Sequence, residues 1–253
     1  MMEQQRSGEI VAVEAKGSSF LDRVPRLLER LEYRRADTVE EKRAIHRLRH
    51  KAYTRAGTVA LPSSGIFDDS LDESPNAYMI GLFIDGDLSA SLRLHIAASP
   101  SAETTTRPVF RDIVDPLLER RLCIVDVSRF SAELEASREF PELPYLTLRT
   151  SFLATEYFGS DYITAGCLYQ HRAFYMRMFG FVEWTKSPRS FPGFNLPMAF
   201  LGYDCKNMRE KTLSRYPFFH PKSGELEQLF HRTLSGGVDL EAAIGRRELF
   251  PAE

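Results

Sequence analysis

Hydrophobic and polar positions change period along the first hundred residues. Ile45, Leu48, Ala52 and Tyr53 recur at steps of about 3.6, the spacing of one helical face. Thr38-Val-Glu-Glu41 precedes them as a capping box, in which the Thr38 hydroxyl accepts from the Glu41 amide and the Glu41 carboxylate reaches back. Gly57 follows as a left-handed stop, so the pattern predicts a helix from Thr38 to Gly57. Further on, Tyr78 to Ile84 and Asp87 to Ile96 read as strands joined by Asp85-Gly86, a dipeptide suited to the positive φ angles of a two-residue hairpin. In the second strand Leu88, Ala90, Leu92, Leu94 and Ile96 alternate with Ser89, Ser91, Arg93 and His95, which predicts one core face and one polar face.

The remaining pattern predicts a short helix at about 19–31, a strand at 32–35, a helix from Val109 to Glu119 and an apolar strand from Leu122 to Phe130. After a charged connection come a helix (Tyr145 to Phe158), a strand (Tyr162 to Ala165), a helix (Gln170 to Met178), a strand (Phe181 to Thr185) and a last strand (Met198 to Tyr203). Residues 206–234 read as one or two terminal helices broken at Tyr216-Pro217. This order implies one α/β domain around a mixed sheet. Residues 1–18 are polar without a sustained period and read as a mobile leader. The polar loop from Gly57 to Asn76 exceeds most connections in compact domains, and loops of that length are often functional.

With 253 residues, 43% of them apolar, the chain can bury a sizeable core. Lys plus Arg number 33 against 35 Asp plus Glu, a net charge of −2, so no global positive excess exists for nucleic acid. No apolar run approaches the roughly 18 residues of a membrane span, and the N-terminus lacks the apolar stretch of a signal peptide, so a cytoplasmic location is expected. Cys123, Cys167 and Cys205 are far apart and form no CxxC, which predicts three reduced thiols. The six histidines show no metal spacing, and no metal centre is expected. GxGxxG, GxxxxGK[ST], HExxH and GxSxG are all missing, which removes the usual sequence grounds for a dinucleotide enzyme, a P-loop enzyme, a zincin or a serine hydrolase.

One pattern is present. Ala173-Phe-Tyr-Met-Arg-Met-Phe-Gly-Phe181, with the order of elements before it, resembles the GNAT acyltransferase superfamily over about residues 32–204. The resemblance implies a mixed, mostly antiparallel central sheet flanked by helices, within a domain at 19–204 that carries extra helices at both ends, the C-terminal extension being 205–253. Four further motifs sharpen it: Arg49-x-x-x-Tyr53, Asp69-x-x-Asp72, Ser91-Leu-Arg93 and Asp126-Val-Ser-Arg129-Phe130. Together they resemble the signatures of acyl-homoserine-lactone synthases and of the related N-acyl amino acid synthases, which use long-chain acyl carrier protein thioesters. Phe67 stands where the lactone synthases have a glutamate ahead of D-x-x-D, and Asp126 replaces a second glutamate. Both departures favour the amino acid branch.

Acyl transfer from a thioester to an amine needs a deprotonated amine, a stabilised oxyanion and a proton for the leaving thiolate. Asp126 lies among Ile124, Val125 and Val127, where desolvation disfavours a bare carboxylate unless Arg93 or another cation answers it. It is a candidate to take the ammonium proton, directly or through water; the alternative is an Asp–Arg tie bracing the sheet. Arg129 and Arg93 can hold the acceptor's carboxylate or order the long loop through Asp69 and Asp72. Asp126 and Arg129 share a site only if the strand bulges. Arg49, Asp69 and Asp72 can equally form a helix-to-loop salt bridge that holds a lid, and Tyr53, Ser128 and Phe130 fall beside them in the same motifs. The resemblance places Tyr175 near the thiolate as a proton donor; the alternative is a core aromatic beside Phe174 and Phe179.

Residues 131–144 contain no glycine and four glutamates, unlike the glycine-rich pyrophosphate loop of acetyl-CoA relatives. The expected donor is therefore a phosphopantetheine thioester on acyl carrier protein, with no separate cofactor. Arg172, Arg177, Lys186 and Arg189, opposed only by Glu183, form either a dock for that acidic partner or a solvated face. The stripe Leu226, Leu229, Phe230 and Leu234 reads as cover for the core or an acyl tunnel ahead of transient membrane contact. The expected activity is N-acylation of an amino acid; the rivals are a CoA-dependent N-acyltransferase and a non-catalytic acyl- or carrier-binding module.

Overall fold

The computed structural model describes residues 20–57, 62–191 and 197–232; the leader over 1–18, Leu234 and the rest of the extension lie outside them. The chain runs α1 (Phe20–Arg30), β1 (Leu31–Arg35), α2 (Val39–Ala56), β2 (Ala77–Ile84), β3 (Asp87–Ala97), α3 (Arg111–Glu119), β4 (Ile124–Ala132), α4 (Leu134–Glu139), α5 (Leu143–Phe158), β5 (Tyr162–Leu168), α6 (Arg172–Phe179), β6 (Val182–Glu183), β7 (Arg189–Ser190), β8 (Pro197–Asp204), α7 (Cys205–Arg215) and α8 (Glu225–Phe230). The predicted caps of α2 form: Thr38 Oγ1 accepts from the Glu41 amide, Glu41 answers the Thr38 amide, and Gly57 closes the helix at φ 61°. The hairpin turn forms as well, with Asp85 at φ 51° and Gly86 at φ 93°. Inside the charged connection the short helix α4 appears, which the sequence pattern did not predict.

The strands build one sheet in the order β1-β2-β3-β4-β5-β8-β6, with β7 on β8, and β4–β5 is its one parallel pair among the described residues. One face carries Leu92, Leu94, Ile96, Val125 and Val127 and shares the main core with Leu146, Phe152 and Leu153 of α5. That helix is buried along nearly its whole length, so its hydroxyls have no water; Thr147, Thr150, Ser151 and Thr155 instead donate to carbonyls three or four residues back. Arg149, also buried, pairs bidentately with Glu225 at 2.5 and 2.7 Å and ties the C-terminal segment to α5. Within the described part of the α8 stripe Leu229 and Phe230 are core, Phe230 packing against Tyr78, Tyr157 and Phe158, while Leu226 is partly buried beside them. Among the described residues no helix is long and apolar enough to cross a membrane.

The other face of β3 is polar, as expected, and it is also buried. Ser89, Ser91, Arg93 and His95 are all buried, because α2 and the capped turn Ser70–Glu73 of the long loop lie over them. The alternation marked the two faces correctly; what covers the polar one is contributed by a distant segment.

Candidate active site

β4 and β5 pair only over Ile124–Val127 and Tyr162–Ala165, then separate: Ser128 and Ser131 continue on β3, while Gly166 to Leu168 continue on β8. The gap is a cavity of about 540 Å³. Val127 to Ala132 form one wall and Ala165 to Leu168 the other; Tyr53 and Arg55 of α2, Phe174 and Tyr175 of α6, Thr105, Thr106, Phe191 and Met198 complete it. A Cβ at Gly166 would come 3.0 Å from the Phe191 ring and 3.2 Å from the Thr106 methyl, so glycine keeps that wall open. The expected bulge is present on β4. Ser91 faces Ser131 and Arg93 faces Ser128, three steps against two, and Arg129 takes up the extra residue at φ 56°. The bulge brings Arg129 to the side of the sheet that holds Arg93.

Four of the motifs meet there in one buried network. Arg49 Nη1 donates to both Asp72 oxygens at 2.9 and 2.7 Å, and His46 Nε2 lies 3.1 Å from Oδ2. Arg93 Nη1 bridges Asp69 and Asp72 at 2.6 and 2.8 Å; its Nη2 donates to Thr105 at 2.8 Å and its Nε reaches Ser128 at 3.4 Å. Arg129 Nε and Nη2 both donate to Asp69 Oδ2 at 2.8 and 2.5 Å. Asp69 also caps the loop's turn through the Leu71 amide. Burial alone would push the Asp72 carboxyl up, but His46, Arg49 and Arg93 hold it well below the usual carboxylate range. Phe67, in the glutamate's place, packs its ring 5.2 Å from the Arg129 guanidinium and 5.3 Å from Tyr53. Arg49 and Arg93 therefore order the loop, and neither lines the cavity.

Asp126 is completely buried on β4 and does not line the cavity. No cation makes a hydrogen bond to it, although the Arg93 charge still lowers its pKa. Its partners are hydroxyls and an amide: Thr106 Oγ1 and Thr164 Oγ1 donate to Oδ1 at 2.7 and 2.8 Å, and the Thr106 N–H approaches Oδ2 at 3.3 Å. Arg93 is spent on Asp69 and Asp72, so the Asp–Arg tie is replaced by a threonine cradle. Burial pushes the Asp126 carboxyl up to about 6, against the lowering effect of those hydrogen bonds. Across the strand pair, His95 Nε2 donates to the Leu71 carbonyl at 3.1 Å, and burial brings its pKa down to about 3, which keeps the imidazole neutral.

Residues 44–204 match the family model described as N-acyl amino acid synthase FeeM. The chain belongs to that family. The solved structure of FeeM, an N-acyl amino acid synthase from uncultured soil microbes, shares 18% identity with it over 73% of this chain and 96% of that one, with a TM-score of 0.59. TofI, solved with an inhibitor and MTA, matches at 13% identity over 76% and 100% of the two chains with a TM-score of 0.55. The acyl-homoserine-lactone synthase LasI matches at 13% over 68% and 88%, with a TM-score of 0.50. These likenesses establish a GNAT-like fold, and the family makes the chain an acyltransferase. Comparison with curated proteins gives no match.

In this FeeM-family site Tyr53, Ser128, Arg129, Phe130 and Tyr175 line the cavity, whereas Arg49, Asp69, Asp72, Arg93 and Asp126 stand behind its walls. Tyr175 is half-buried against Phe174 and Phe181, and burial, with Cys167 facing it, raises its phenol pKa and keeps it protonated. None of the three cysteines is in a disulfide, and Cys167 forms part of the cavity wall. The basic run is more heavily opposed than the sequence suggested. Arg189 makes a bidentate pair with Asp112 of α3 at 2.5 and 2.7 Å, and Arg172 lies 3.4 Å from Glu183 and over the Tyr169 ring at 3.6 Å. Arg177 and Lys186 are exposed without an ion pair among the described residues. Reasoning from sequence missed Thr106 and Thr164, because a threonine in an irregular loop and one in a strand carry no signal until the topology places them around Asp126. It also missed Arg55, although Arg55 falls only two residues past Tyr53 in a motif already marked.

Proposed function

We propose that the chain transfers a long-chain fatty acyl group from acyl carrier protein to the amine of an amino acid. The observation that carries the choice of donor is the N-terminus of α5, where a GNAT enzyme using CoA would offer free amides to the pyrophosphate. Here the Leu143 amide donates to the Phe140 carbonyl at 3.0 Å, residue 144 is proline, and the Tyr145 amide donates to the Glu142 carbonyl at 3.0 Å. The Glu142 side chain is buried there and paired with Arg23 of α1. Amides already spent on carbonyls leave a pyrophosphate no donors there, whereas a phosphopantetheine on a carrier protein brings no pyrophosphate to that point.

In this reading the thioester occupies the gap between β4 and β5. The ammonium proton passes to Asp126 by way of the Thr106 side of the cavity wall, and the freed amine attacks the thioester carbonyl. As the C–N bond forms and the C–S bond breaks, the Tyr175 phenol protonates the thiolate, and the proton lost from the nitrogen restores the phenol. Arg93, Arg129, Asp69 and Asp72 keep the loop folded over the site. Because Asp126 accepts a proton only when ionised, kcat/KM falls as pH drops through about 6, and that acid limb is missing from Asp126→Asn.

The exposed Arg177 and Lys186, near exposed Met176 and Val182, are the surface assigned to the acidic carrier. Reversing both to Glu raises KM for acyl carrier protein at low salt and leaves an acyl-pantetheine donor unaffected, since steering is an electrostatic effect screened over about 10 Å at 0.1 M salt. Equal damage with both donors would place these residues in the fold instead. The direct test of donor is release of free thiol from matched acyl carrier protein and acyl-CoA substrates; faster release from CoA would overturn the carrier-protein reading.

A further inference from the structure

An amino acid brings a carboxylate beside its amine, and a carboxylate entering a largely apolar cavity requires a cation. Among the described residues two guanidiniums reach the lining, Arg55 and Arg129. Arg129 is committed, with Nε and Nη2 both on Asp69. Arg55 is not: its Nη2 donates to the Ala132 carbonyl at 3.1 Å, and no carboxylate among the described residues pairs with it. That single bond fixes the guanidinium against the far end of the β4 wall and leaves its Nε and Nη1 donors open.

The surrounding charge favours an anion at the same place. Arg49, Arg93 and Arg129 meet only Asp69 and Asp72, so the buried network holds three guanidiniums for two carboxylates, and Arg49 Nε and Nη2 have no hydrogen-bond partner. Arg49 and Arg55 lie on the same helix, roughly 9 Å apart along its axis, which is about one Debye length at 0.1 M salt. Of the anions in the reaction, the acceptor's carboxylate is the one that must sit next to the attacking nitrogen.

We infer that Arg55 is the anchor for the acceptor's carboxylate and selects amino acids over amines that lack one. The inference rests on the proposed amino acid acceptor. Its test takes the amino acid acylated fastest by the wild-type enzyme, together with the carboxamide of that amino acid. Arg55→Ala is expected to raise KM for the amino acid by at least about tenfold with kcat within about threefold, the pattern of a lost binding contact. KM for the carboxamide and for the acyl donor stays unchanged, and Arg55→Lys recovers part of the loss. The side chain is exposed, so the variant keeps the wild-type melting temperature. A rise in KM for acyl carrier protein alone would assign Arg55 to the phosphodiester of the donor and overturn the inference. Equal losses with amino acid and carboxamide, or an unchanged KM for an amino acid that the wild type does acylate, would overturn it while leaving the amino acid reading intact. A wild-type enzyme that acylates no amino acid overturns both.

Discussion

Asp126→Asn lowers acyl transfer by about 10²-fold or more while the protein remains folded. The substitution keeps the oxygen that accepts from the Thr106 and Thr164 hydroxyls and removes the proton acceptor; the amide NH2 then faces the Thr106 N–H, a long contact of 3.3 Å whose loss is a pH-independent cost. Its effect on stability has a definite sign. Burial lifts the folded-state pKa to about 6, above the value of about 4 for a free aspartate, so the folded protein binds the proton more tightly than the unfolded chain. Wild-type stability therefore declines as pH rises from about 4 to about 6 and stays lower above that. Asn carries no charge, and the variant gains stability relative to wild type above pH 6, an advantage that disappears below about pH 4. Thermal melts across that range, run beside the kinetic assay, separate chemistry from folding: an inactive but stable variant gives Asp126 its proposed role, and an unfolded one makes it a brace for the sheet.

Asp72→Ala is expected to lower the melting temperature by roughly 6–20 °C. Asp72 accepts from Arg49, Arg93 and the Asp69 amide and lies against His46, so removing it leaves buried cations facing Asp69 alone. Breaking a buried pair in this way costs about 3–5 kcal/mol, and for a domain of this size each kcal/mol moves the midpoint by about 2–4 °C. The carboxyl is held well below its ordinary pKa, so it contributes stability above about pH 4, and that contribution is lost as the solution is acidified further. The gap between wild type and variant accordingly narrows in acid. Differential scanning calorimetry at pH 7 and at pH 3 checks both statements, and a variant that melts with the wild type at pH 7 would remove the network from the account of stability.

Local rules were legible in the sequence wherever the deciding atoms were close along the chain. The capping box at Thr38, the left-handed Gly57 and the Asp85-Gly86 turn involve contacts within a few residues, and each appears as its residues dictate. The pairing of Arg49 with Asp72, 23 residues apart, was legible only because the spacing of motifs signalled it. What was hidden depends on which segments topology brings together. The alternation of β3 marks a polar face but does not say that α2 and the Asp69-capped turn cover it, and Asp126 calls for a cation until Thr106 and Thr164 arrive from a loop and a neighbouring strand. Asp112 neutralises Arg189 from 77 residues away, a pairing no local charge count contains. The splay between β4 and β5, which creates the cavity, is likewise a property of two strands finding different partners after four shared positions.

The most direct measurement is the mass spectrum of the products formed from an isotope-labelled long-chain acyl carrier protein and a mixture of the proteinogenic amino acids, run beside the same acyl group on CoA. The expected products are a labelled N-acyl amino acid and one free carrier-protein thiol for each amide formed, with faster formation from the carrier protein than from CoA. Labelled acyl carrier protein that binds without yielding an amide of any amino acid, or label that moves faster from CoA, would contradict that expectation.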